Sequence, residues 1–343
     1  MDYRWLIGGG VVFLALIFVF TNGFHDGCNV LATMISSRAI SPRKALLIGT
    51  IFEFIGALFL GKGVARTLST GIVDPRLISI WVVFSGLGAA ITWNLITWWL
   101  ALPSSSSQAL IGGLLGATLL ELYIVKGETL SLIHWENVFW IIVVLLTSPF
   151  IGLSLGFIFT KMSFFFARGS SPGVNKVFRR LQILSSIFLA LSHSSNDAPK
   201  TMGIIVMSLV ILDFYHFPEG VFLVPGWVSF LCALGIALGI SRGGWRIMKT
   251  LGAKLYKIRP IHGFGAQSAS IFVVGLSSFT GFPVSTTQIV NSSIMGAGAA
   301  DKPRAVRWKK IRDIFISWVA TIPMSGLIAM LFYFLIFWFS KIL

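Results

Sequence analysis

Two short stretches of an otherwise apolar chain carry the same polar residues in the same order. The first, "ALPSSSSQALIGG" (101–113), sets Ser104, Ser105, Ser106, Ser107 and Gln108 behind Pro103. The second, "GFPVSTTQIVNSS" (281–293), sets Ser285, Thr286, Thr287 and Gln288 behind Pro283. A helix that starts just after each proline inside hydrocarbon leaves its first backbone N–H groups without partners, which is costly where no water can reach them. An anion satisfies those donors and also meets the positive helix end, while the hydroxyls donate or accept around it. Two such tips facing one another would cup a tetrahedral oxyanion. The structural alternative is N-capping by one serine and helix–helix hydrogen bonding by the others, and duplication of both the proline and the glutamine weighs against it.

A second pair of motifs brings carboxylates. "FHDGCN" (24–29) and "SNDAPK" (195–200) align Asp26 with Asp197 and His25 with Asn196. Asp26 follows about 15 apolar residues, roughly 22 Å of helix, and a bare carboxylate at that depth is expensive. Asp26 with Asn22 and Asn29, and Asp197 with Asn196, offer hard oxygen ligands that suit Na⁺, supplemented by carbonyls freed at a helix break; the same carboxylates can carry H⁺ instead. Na⁺ is therefore expected at Asn22 and Asp26 in the first half and at Asn196 and Asp197 in the second. Pairing with Lys200 is the structural alternative for Asp197. Glu53, mid-span between Phe52 and Phe54, joins Lys200 as a coupling candidate, although it has no match in the second half.

These residues need a membrane to make sense, and the composition supplies it. Of 343 residues 55% are hydrophobic and 11% charged, mean hydropathy is +0.86, and ordinary soluble domains carry roughly 25% charged residues. Apolar runs of about 17–25 residues exclude a β-barrel and predict an all-α polytopic bundle. The net charge of +15 is concentrated in Arg38–Lys44, Lys161–Arg180, Arg242–Arg259 and Lys302–Arg312, whereas Glu121, Glu128, Glu136, Asp213 and Glu219 occupy the other connections. That asymmetry marks the basic stretches as cytoplasmic and argues against a nucleic-acid partner. With those four stretches inside, both termini fall outside, and residues 77–122 and 261–300 must each return to the side they left. Both are thus re-entrant hairpins, entered from opposite faces.

The result is two inverted repeats, 1–166 and 181–343, joined by a basic cytoplasmic linker at 167–180. Each repeat has a helix broken at its aspartate and a hairpin, which is the arrangement of secondary transporters with a midplane site. Gly112/Gly116, Gly152/Gly156 and Gly235/Gly239 are spaced for close helix packing. Cys28 and Cys232 lack any ligand or disulfide spacing. His134, His216 and His262 form no cluster, and no nucleophile–base pair is apparent, so neither an enzyme nor a cofactor is expected.

"NGFHDGCNVLATMISSRAISPRKAL", "SHSSNDAPKTMGII", "LPSSSSQALIGG" and "GFPVSTTQIV" together resemble the inorganic phosphate transporter (PiT) family of cation-coupled phosphate carriers, through both halves of the chain. His25 stands where that family more often has Asn. The resemblance implies a plasma-membrane symporter for inorganic phosphate with Na⁺ or H⁺ as coupling ion, and relatives that carry sulfate. Na⁺-coupled phosphate import by alternating access is the expectation, with H⁺-coupled phosphate or sulfate symport or an anion channel as alternatives. The expected partners are phosphate, sodium ions, membrane lipid and a second copy of the chain.

Overall fold

In the computed structural model, described for residues 3–127, 130–171, 173–217, 221–244, 247–248 and 256–342, the chain is all-helical as expected. Glu128 and Glu219 lie outside those residues. The first half runs α1 (Tyr3–Ser36), α2 (Pro42–Phe59), α3 (Gly63–Thr70), α4 (Ile80–Trp99), α5 (Ser106–Leu119) and α6 (Trp135–Phe166). The second runs α7 (Val174–Ile211), α8 (Gly226–Arg242), α9 (Pro260–Thr280), α10 (Thr286–Asp301) and α11 (Trp308–Ile342). Apart from α3, the two successions correspond element for element. Tyr3–Ser36, Ile80–Trp99, Trp135–Phe166 and Trp308–Phe339 are each long and apolar enough to cross a membrane, and α2 with α3, bent 67° at their junction, makes a fifth candidate.

The two halves pack by exchange. Helix α1 lies on α8 and α2 on α7, while the α4–α5 hairpin lies on α11 and the α9–α10 hairpin on α6. The spaced glycines permit these contacts: a Cβ at Gly112 would strike the Ile322 carbonyl, at Gly116 that of Gly326, at Gly156 that of Ser293 and at Gly239 that of Phe20. Backbone-to-backbone approach of this kind is how membrane helices associate when lipid is as apolar as the helix surface.

Both hairpins are closed in the same way at both ends. At the turn, Ala101 has φ 55° and its counterpart Gly281 has φ 77°. At the base, the Ser79 hydroxyl donates to Glu121 at 2.6 Å in the first hairpin, and Arg259 donates to Asp301 at 2.8 Å in the second.

One expectation is corrected. Helix α1 runs unbroken through Asp26 and α7 unbroken through Asp197. Side chains arriving from the hairpins satisfy the carboxylates, so the backbone has no need to open. Pro199 does sit inside α7, where it removes one N–H donor from the ladder.

Candidate functional site

The hairpin tips and the two aspartates converge in one buried cluster. Ser104, Ser105, Ser106, Ser107, Gln108, Ser285, Thr286, Thr287, Gln288, Asn22, Asp26, Asn29, Glu53, Asn196, Asp197 and Lys200 are all buried. Gln288 Nε2 donates to Gln108 Oε1 at 3.1 Å, so the two tips touch.

The serines and threonines divide their tasks. Ser105 and Ser285 are N-caps, accepting from the N–H groups of Gln108 at 3.2 Å and Gln288 at 3.3 Å. Ser104 pairs with Thr97 on its own hairpin at 2.7 Å. Ser106, whose hydroxyl lies within bonding distance of both oxygens, approaches Asn22 Oδ1 at 3.0 Å and Asp26 Oδ2 at 2.5 Å. From the opposite tip Thr287 donates to Asp26 Oδ1 at 2.7 Å and accepts from Asn29 Nδ2 at 2.9 Å. Asp26 is therefore gripped by both halves at once. The capping alternative holds for one residue at each tip, and the following residues reach the carboxylates.

Around Asp197 the pattern repeats with substitutions. Thr286 donates to Asp197 Oδ2 at 3.0 Å, as Ser106 does to Asp26. Lys200 Nζ donates to Asp197 Oδ1 and to Ser107 Oγ, each at 2.5 Å. Asn196 turns instead to its own hairpin: its Nδ2 donates to Ser277 at 3.1 Å, and its Oδ1 accepts from the Val284 N–H at 3.4 Å.

Histidine supplies what sequence reasoning missed. His193 Nδ1 lies 2.7 Å from Glu53 and its Nε2 lies 3.2 Å from Asp197, so Glu53 joins the cluster through His193. His25 Nδ1 lies 2.7 Å from Asp26. The signal was available, because His193 precedes Asp197 by the same spacing as Asn22 precedes Asp26, and one helical turn puts each beside its carboxylate. Among the described residues Gln288 Oε1 and Asn22 Nδ2 are buried without a hydrogen-bond partner, an acceptor and a donor that a polar ligand between the tips would satisfy. No group of three or more His, Cys, Asp and Glu residues suited to a metal ion occurs among the described residues.

Long apolar helices enclosing paired hairpin tips that close on buried carboxylates make the architecture of a membrane transporter. A model of the phosphate transporter family matches residues 22–329. The chain is 41% identical over 326 residues, 95% of each chain, to a probable low-affinity inorganic phosphate transporter of Rhizobium meliloti (strain 1021). It is 38% identical to a protein of the same description in Bacillus subtilis (strain 168), covering 98% of this chain and 99% of that one. A solved structure described as the sodium-dependent phosphate transporter shares the fold, with a TM-score of 0.85 and 24% identity over 96% of this chain and 99% of that one. This chain belongs to the phosphate transporter family, and it is a transporter, not an enzyme.

Proposed function

We propose that this chain is a secondary active symporter that imports inorganic phosphate with Na⁺ by alternating access. One observation carries the reading: hydroxyls from both hairpin tips, Ser106 and Thr287, are turned together onto the buried carboxylate of Asp26. A cation bound by Asp26 with the oxygens of Asn22 and Asn29 takes over that carboxylate and releases both hydroxyls toward an anion between the tips. Phosphate then meets the freed hydroxyls of Ser106 and Thr287, the first N–H groups of α5 and α10, and the side-chain carbonyls of Gln108 and Gln288. Cation and phosphate favour one another, and by linkage each must raise the other's affinity by the same factor.

The ion is taken as Na⁺ from the hard oxygen donors and from the description of the structural neighbour as sodium-dependent. Insertion of 1–166 and 181–343 in opposite senses, with 167–180 as cytoplasmic linker, lets the hairpins open to one side at a time. The basic stretches then face the cytoplasm of the plasma membrane and both termini lie outside. A proton-coupled cycle is the second reading, favoured by His193 standing between Glu53 and Asp197.

The test is calorimetry on the purified protein in detergent: phosphate affinity with and without Na⁺, and Na⁺ affinity with and without phosphate. Equal enhancement in both directions supports Na⁺ coupling. Phosphate binding indifferent to Na⁺ rejects it and moves the reading to protons.

A further inference from the structure

We infer that the ammonium group of Lys200 is a built-in cation that permanently fills the second half-site, so that of the two repeat-related aspartates Asp26 alone offers an exchangeable cation site. The inference rests on the cation-coupled reading above and fixes where coupling resides.

The internal repeat provides the control. Aligning Asp26 with Asp197 puts Asn29 opposite Lys200, and aligning Pro103 with Pro283 puts Ser106 opposite Thr286 and Ser107 opposite Thr287. In the first half one carboxylate oxygen takes the hydroxyl of Ser106, the other takes the hydroxyl of Thr287, and Asn29 Nδ2 donates to Thr287. In the second half Thr286 keeps its place on Asp197 at 3.0 Å. The contact expected from Ser107 is different: its hydroxyl donates to the Val284 carbonyl at 2.9 Å, and Lys200 Nζ stands between Ser107 and Asp197.

Lys200 Nζ donates its protons to three oxygens, a carboxylate from α7, a hydroxyl from the first tip and, at 2.9 Å, the main-chain carbonyl of Val284 in the second tip. An ammonium has three donors and no acceptor, so this set leaves it fully satisfied. Carboxylate, hydroxyl and carbonyl are also the hard ligands that an alkali cation would use. Lys200 is fully buried, and a buried lysine is tolerated where it is paired and hydrogen-bonded. A mobile ion competing for Asp197 would have to displace a tethered cation whose local concentration is set by one helical turn.

The consequence is a count. A symmetric pair of half-sites would take two cations per cycle, whereas this chain takes one, because the second positive charge stays with the protein. With monovalent phosphate the cycle moves no net charge.

The experiment compares the wild type with Lys200→Asn, which installs the residue of the first half. The readouts are Na⁺ dependence of phosphate uptake into proteoliposomes and Na⁺ titration of the thermal unfolding midpoint in detergent. The inference predicts a Hill coefficient of about 1 for wild type and near 2 for the variant, with a second saturable stabilisation appearing in the titration. A coefficient near 2 in the wild type, or an unchanged titration in a well-folded Lys200→Asn protein, overturns it. If wild-type uptake ignores Na⁺, the coupling reading has failed, and the titration still decides: Na⁺ stabilisation gained only by Lys200→Asn supports a resident ammonium, and none in either protein overturns it. Should that variant not fold, Asp197→Asn/Lys200→Met removes both charges together, and its titration must keep the single Na⁺ site of the wild type. Loss of that site contradicts the inference.

Discussion

At the scale of the residue, the site is organised by the partners its hydroxyls take. Ser106 donates to a buried carboxylate, a charge-assisted bond of about 1.5–3 kcal/mol. Ser106→Ala is expected to lower the factor by which Na⁺ tightens phosphate binding by about 10-fold or more on that basis, because the hydroxyl no longer changes partner; calorimetric affinities with and without Na⁺ measure it. Asp26→Asn should abolish the Na⁺ dependence of phosphate binding altogether. Selectivity follows from acceptors. Gln288 Oε1 is buried without a partner among the described residues, and phosphate and arsenate bring an O–H to fill it whereas sulfate brings none. Arsenate should therefore compete well with labelled phosphate and sulfate poorly. Equal competition by sulfate would mean that the glutamine acceptors do not face the anion.

Elements explain why part of the site was legible in the sequence and part was not. Pro103 and Pro283 with their following residues announce themselves because a hairpin tip is a short local motif, and the tips fall at 100–105 and 281–285, where that motif predicts them. The break expected at Asp26 and Asp197 is different in kind. Asn, Asp and Gly inside an apolar run argue for an opened helix, but the partners that keep the helix closed, Ser106 and Thr287, arrive from far along the chain. His193 escaped notice because its meaning depends on Glu53, brought beside it by the packing of α2 on α7. The hairpin turns make their own prediction. Ala101 adopts φ 55° where the second hairpin uses Gly281 at φ 77°, and a left-handed conformation costs a residue with a Cβ roughly 1–2 kcal/mol. Ala101→Gly should raise the thermal midpoint of unfolding, and Gly281→Ala should lower it.

For the whole molecule, the proposed symport requires that the exchanged packing of the halves and the convergence of both tips on one carboxylate make cation occupancy, phosphate occupancy and hairpin position a single equilibrium. Such an equilibrium lets a cation gradient do work on the anion, where a channel would only let the anion equilibrate. The most direct test is uptake of labelled phosphate by proteoliposomes of the purified protein, with Na⁺ and H⁺ gradients imposed separately at fixed membrane potential. Accumulation above equilibrium is expected under an inward Na⁺ gradient alone, vanishing when the gradient is collapsed. Accumulation under a pH gradient without Na⁺, or equilibration at the same rate whatever gradient is imposed, would contradict it.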